Sequence, residues 1–198
     1  MINKGWPLFL LTSFFLFISC NSDYIVKPRG YYKIDLPKKA YQQFNNPSYP
    51  YSFEYPVYGT IIKDSLFFEE KAENPYWINI DFPRFNGKIH ISYKDVGKNH
   101  FDSLVNDAFT MSYKQHTYKA SAIEPVAFTT PNNLSGIYFN LKGNTATANQ
   151  FFVTDSTKHF LRGALYFDAA PNEDSLRPVN DFLQKDLQHL INTLQWKK

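Results

Sequence analysis

The residues whose types and settings suit chemistry are few. Cys20 is the only cysteine among 198 residues. It can form no internal disulfide and no thiolate metal cluster, so what matters is where it sits: after a lipoprotein signal, or by chance after an ordinary secretory signal or an uncleaved anchor helix. Asp81 and His90 sit in two alternating stretches that read as a hairpin. If Phe82 faces Ile89, Asp81 faces His90, and an aspartate that fixes a histidine tautomer is half of a hydrolytic triad. The other register, with Phe82 facing Ile91, puts Asp81 opposite Ser92 in a polar cross-strand pair. No nucleophile is identifiable beside either arrangement. Arg162 stands between Leu161 and Gly163 in an otherwise apolar stretch. It either binds a carboxylate or phosphate or points outward on the polar side of a strand. Trp77, Phe85, Tyr93 and Tyr166 make either an aromatic surface for a glycan or partner or part of the core. Arg29 and Arg84 complete the candidate contact residues. The five histidines, His90, His100, His116, His159 and His189, never fall within five residues of one another. No local metal spacing results, and no metal or cofactor is expected beyond a lipid on Cys20.

The setting of Cys20 specifies that lipid. Residues 1–19 carry a positive start with Lys4, then an uncharged run from Pro7 to Ile18. That is the length of a signal-peptide apolar region and too short to span a bilayer. Phe17-Ile18-Ser19-Cys20 follows the lipobox pattern of bacterial lipoproteins, with Phe17 where Leu is usual. The thiol takes a diacylglycerol, the peptide is cut before Cys20, and the new amine is acylated. Two or three buried chains, at about 0.8 kcal/mol per CH₂, anchor durably where one would not. Cleavage leaves 20 basic and 18 acidic residues, +2 over 179. No basic field of the kind that binds nucleic acid exists.

Behind the anchor, residues 20–50 hold Pro28, Pro37, Pro47, Pro50 and several lysines, and eight of the 14 tyrosines fall between Tyr24 and Tyr58. This is an extended arm whose tyrosines argue for packing on a surface. Residues 51–198 read as one domain. Strands are expected at Tyr51–Tyr55, Val57–Ile62, Trp77–Phe82 and Lys88–Tyr93, with Asn86-Gly87 as a type I′ turn signal. A helix with Phe101, Leu104, Val105, Ala108 and Phe109 inward follows, with Asn99 as its cap. Ala120–Phe128, interrupted by Pro125, is an edge strand or a bulge. Leu134–Lys142, Ala146–Thr154 and Lys158–Phe167 form an antiparallel meander. A final helix carries the stripe Val179, Phe182, Leu183, Leu187, Leu190, Ile191 and Leu194, with Asp174 or Ser175 as cap and Pro178 in its first turn. The order is α+β: a twisted, mostly antiparallel sheet with both main helices on one face. Its ending of strand, proline, amphipathic helix and tryptophan is similar to PsbP-like domains.

Several segments, in order, resemble the GldD family of gliding motility lipoproteins of Bacteroidota. They are Lys27-Pro28-Arg29-Gly30-Tyr31, the run from Trp77 to Gly87, and Ile89-His90-Ile91-Ser92-Tyr93-Lys94. Then come His116-Thr117, Lys119-Ala120, Gly143-Asn144, Gln150-Phe151-Phe152 and Thr154-Asp155-Ser156-Thr157. Phe160 to Phe167, Pro171-Asn172, Asp174-Ser175-Leu176 and Trp196 complete the set. One departure is Tyr76 before Trp77, where the family often has Cys. The resemblance implies a part in the gliding machinery and the type IX secretion coupled to it. It implies no reaction and carries over no catalytic residue.

The function expected is that of a lipid-anchored envelope accessory or assembly factor acting by protein–protein binding. A periplasmic hydrolase at Asp81 and His90, and a glycan- or lipid-binding module around Trp77, are the alternatives. Asn21 follows Cys20, so the inner-membrane retention aspartate is missing there. The outer membrane, facing the periplasm, is the expected place, with inner membrane or cell surface as the other options.

Overall fold

A computed structural model describes residues 30, 33–63, 66–67 and 70–197. The signal segment, Cys20 and Arg29 lie outside the described residues. The chain divides into Met1–Lys33 and a compact unit, Ile34–Lys198.

Alternation decides the central hairpin. The strands β1 (Tyr41–Phe44), β2 (Tyr51–Pro56), β3 (Thr60–Lys63), β4 (Leu66–Phe67) and β5 (Glu70–Lys71) lead into β6 (Ile78–Phe82) and β7 (Gly87–Asp95). Ile78, Ile80 and Phe82 share one buried face with Ile89, Ile91 and Tyr93, as period-2 geometry requires. The link differs from the expected Asn-Gly turn. Pro83–Phe85 form a 3₁₀ turn and Asn86 is left-handed at φ 46°. Proline pre-sets the first turn residue and asparagine tolerates the left-handed one. Gly87 already lies in β7, opposite Phe82. Neither expected register is found: the pairing runs two residues nearer the turn than Phe82 against Ile89.

After β7 come α1 (Phe101–Tyr113), β8 (Ala120–Thr129), β9 (Ser135–Gly143), β10 (Asn149–Thr154), β11 (His159–Phe167), α2 (Glu173–Thr193) and β12 (Gln195–Trp196). The main antiparallel sheet has the order β3-β6-β7-β11-β10-β9-β8. β8, with Pro125, is an edge strand and carries a register shift between Ala120 and Ala122. Of the two alternatives expected from Pro125, the edge is found: Pro125 itself pairs in register with Phe139, and the shift lies elsewhere in the strand. Gly143 at φ +97° turns the chain out of β9, where a side chain would strain.

The helices divide between the two sheet faces, a correction to the expectation that both pack on one. α2 lays Val179, Phe182, Leu183, Leu187, Leu190 and Ile191 on the face of Ile80, Ile89, Phe151, Val153, Leu161 and Leu165. α1 lays Leu104 and Ala108 on Phe139, Leu141, Phe152 and Phe160, whose side chains point the other way. The physical reason is that β9–β11 carry apolar residues on both faces. A period-2 count therefore cannot say which face a given helix takes. Caps differ too. Asn172 caps α2 through Ser175 N at 3.1 Å. Pro178 thus falls in the second turn and removes one i→i−4 bond. α1 starts at His100 without a side-chain cap, and Asn99 donates to Asp95 O instead.

A smaller sheet, β1-β2-β12, forms against the end of α2. β1 comes from the arm: Tyr41 lies opposite Pro56 and Phe44 opposite Phe53. Trp196 lies opposite Tyr51.

Candidate functional site

The main-sheet face that carries α1 holds the polar residues of the centre. By strand parity it presents Asn79 and Asp81 on β6, Lys88, His90 and Ser92 on β7, Arg162, Ala164 and Tyr166 on β11, and Gln150 on β10. Across the strands Asp81 faces Lys88, and Asn79, His90 and Ala164 stand in one row. Ser92 faces Arg162. The hairpin therefore does not hold Asp81 against His90 or Ser92. Asp81 and His90 do line one open cleft of about 480 Å³, together with Lys88, Tyr166, Phe167 and Asp168. The His90 ring lies edge-on to Tyr166 at 5.6 Å. Asn79 Oδ1 is buried without a hydrogen-bond partner among the described residues.

Arg162 lies on the polar parity of its strand, yet its guanidinium is largely enclosed, and burial holds it below the usual arginine range. Gly163 beside it lets the Phe151 ring lie against β11, where a Cβ would collide. One guanidinium nitrogen of Arg162 donates to Gln150 Oε1. Gln150 is fully buried. Ser112 Oγ, on α1, lies 3.2 Å from that oxygen and 2.8 Å from the Ala108 carbonyl, and its one proton is shared between them. The amide nitrogen of Gln150 lies 3.2 Å from His116 Nε2. The order of charges fixes the protons. Arginine donates only, so Gln150 must turn its oxygen to it and its NH₂ to His116. His116 Nε2 must then accept, which requires a neutral ring with its proton on Nδ1. Burial, and secondarily the charge of Arg162, lower the His116 pKa in the same sense.

The expected aromatic quartet is dispersed. Trp77 Nε1 donates to the Tyr93 carbonyl at 2.9 Å, and Tyr93 OH meets His159 Nδ1 at 2.7 Å. His159 stacks on Trp196 at 4.9 Å. Phe85 packs instead on Tyr58 and Phe182, and Tyr166 lies in the cleft. Arg84 is exposed in the 3₁₀ turn.

A constellation that sequence reading missed joins the arm to α2. Asp186 is 1% exposed. Lys39 Nζ lies 2.6 Å from its Oδ2. Tyr58 OH donates to Oδ2 at 2.6 Å and Tyr41 OH to Oδ1 at 3.0 Å. Nζ also donates to the Phe182 carbonyl at 2.9 Å and stands 3.3 Å over the Phe182 ring. Desolvation and the Asp186 charge push the Tyr41 hydroxyl up to about 12. For Lys39, desolvation lowers the pKa and Asp186 opposes it. The Tyr41 ring stacks on His189 at 3.6 Å, and His189 Nε2 meets Glu54 at 2.7 Å. One signal was available. Asp186 is four residues after Phe182 and four before Leu190, so it lies on the apolar stripe, where a carboxylate needs a partner.

No curated protein matches the chain. Among solved structures, the chain is similar to cyanobacterial PsbP (CyanoP) from Synechocystis sp. PCC 6803, at 7% identity and a TM-score of 0.45, over 84% of this chain and 98% of that one. Nothing about function follows from that likeness. The family model described as gliding motility lipoprotein GldD matches residues 21–196. That match takes in the central hairpin, the Arg162 strand and both sides of the arm–helix latch, and it shows that this chain belongs to the gliding motility lipoprotein GldD family.

Proposed function

We propose that the protein is an accessory or assembly factor of the gliding machinery and of the type IX secretion coupled to it, acting by binding other envelope proteins. Family membership itself makes it a lipid-anchored protein of the cell envelope involved in gliding motility. The finer reading places the lipid on Cys20, in the outer membrane, with the body facing the periplasm.

The observation that supports contact over turnover is the latch. Lys39 and Tyr41, from the arm, are bonded to a carboxylate buried in the longest helix among the described residues. Lys39 is only 19 residues from Cys20. A plain spacer would merely confine the body near the membrane. A latched arm also fixes which surface the body turns to its neighbours, and an assembly factor needs that orientation.

In-cell crosslinking followed by mass spectrometry tests the proposal. Crosslinks from the body to other gliding or secretion components are expected, with their number reduced in Lys39→Ala cells at equal protein level. Crosslinks to neither class of component in wild-type cells would overturn it. Labelled palmitate incorporated by the wild type and not by Cys20→Ala tests the anchor.

A further inference from the structure

We propose that Arg162 is the anchor of a binding site for a monovalent carboxylate, such as a peptide carries on an acidic side chain or at its C-terminus. The site lies on the sheet face of α1, between Gln150 and the Tyr166 end of β11.

The argument starts from charge. An enclosed guanidinium is costly unless it is paired with an anion and its remaining donors are satisfied. Among the described residues no carboxylate lies within ion-pair distance of Arg162. Its hydrogen bond goes to the neutral amide oxygen of Gln150. That amide is oriented by two further groups, Ser112 Oγ and His116 Nε2. One segment, the end of α1 and the turn after it, therefore holds in place an acceptor far from it in sequence, and the acceptor holds the arginine. Of five N–H donors in the planar fork, this arrangement uses one edge and leaves donors for an incoming group.

The neighbours set the class of ligand. His116 is required to be neutral, and burial raises the Tyr166 pKa, so neither adds a charge at neutral pH. The site offers one positive charge, enough for one carboxylate. Ala164, between Arg162 and Tyr166 on the same face, is the smallest side chain of that row and keeps the intervening surface low. Asp81 and Asp168, against the single cation Lys88, give the adjoining cleft a net negative lining. They disfavour a second negative charge there, which again selects a monoanion.

The test uses the full-length protein in neutral detergent, titrated with sodium acetate, sodium dimethyl phosphate or sodium chloride at matched ionic strength. Acetate well above its Kd is expected to raise the wild-type Tm by about 2–4 °C over chloride, and to leave Arg162→Met unchanged. The chain has four arginines. Their Nε–H NMR signals, assigned through Arg29→Lys, Arg84→Lys and Arg177→Lys, give a readout that needs no variant at the site. Acetate should move the Arg162 signal and leave those of Arg84 and Arg177 in place. An acetate shift equally large in Arg162→Met, or an unmoved Arg162 signal, would overturn the proposal. A larger response to dimethyl phosphate than to acetate would overturn the carboxylate assignment. If Arg162→Met does not fold, the wild-type NMR titration alone decides.

Discussion

Lys39 and Arg162 are both cations drawn into the fold, and their surroundings could hardly differ more. Lys39 meets a buried carboxylate, a carbonyl and a phenol, and lies over an aromatic ring. Arg162 meets an amide. The first set closes its charge within the molecule and fastens arm to helix. The second leaves one charge open to something else. Saturated polar groups do structural work here, and the incompletely paired ones mark where a ligand is received.

The largest expected effect breaks the saturated side. Asp186→Ala leaves Lys39 charged against an apolar wall and takes an acceptor from two tyrosines. A loss of about 3 kcal/mol is expected, at the low end for a broken buried pair because Lys39 reaches solvent. Urea denaturation measures it, and a loss near zero would mean that the latch is open in solution. Tyr41→Phe removes one hydrogen bond to that carboxylate and should cost about 1.5 kcal/mol in the same assay.

On the open side the sign should reverse. Arg162→Met replaces an unpaired charge by an apolar chain of similar length, and the Ser112 proton, shared with the Ala108 carbonyl, is free to turn to Gln150 Oε1. Without carboxylate ligand, stability should rise by about 1 kcal/mol. A fall would mean that Arg162 is a structural residue like Lys39.

Acid titration separates the two regions further. The pKa of His116 is lowered from its usual 6.5 by burial, and that of His159 likewise. Below pH 6.5 the unfolded chain therefore binds protons that the folded chain refuses. The stability these neutral rings confer is fully present above 6.5 and is lost as the pH falls below it. His116→Gln should flatten that acid limb in part. An unchanged slope would show that the Gln150 bridge does not require a neutral ring. The smallest effect is reserved for a control: Arg84→Ala, on an exposed turn, should change stability by less than about 0.5 kcal/mol and leave the acetate response intact.

Much of this molecule was legible before any coordinates. The meander, the β6–β7 hairpin, the Pro125 edge strand and the stripe of α2 follow from side-chain period and from the missing N–H of proline. These are properties of a few consecutive residues, and neighbours in sequence decide them wherever the chain goes. Sequence order resembling one family likewise sufficed to name that family. Tertiary structure alone decided the rest. The hairpin register depended on Pro83–Asn86 folding as a 3₁₀ turn with a left-handed residue, which moved Asp81 from His90 to Lys88. The faces taken by α1 and α2 depended on a crossover, because three strands carry apolar residues on both sides. The latch brings residues 39 and 186 together, and the Arg162 cluster draws on positions 112, 116, 150 and 162. The physical reason is common to all of these. Periodicity says which side chains must leave water, but the partner that makes a buried charge tolerable is chosen by packing between segments far apart in the chain.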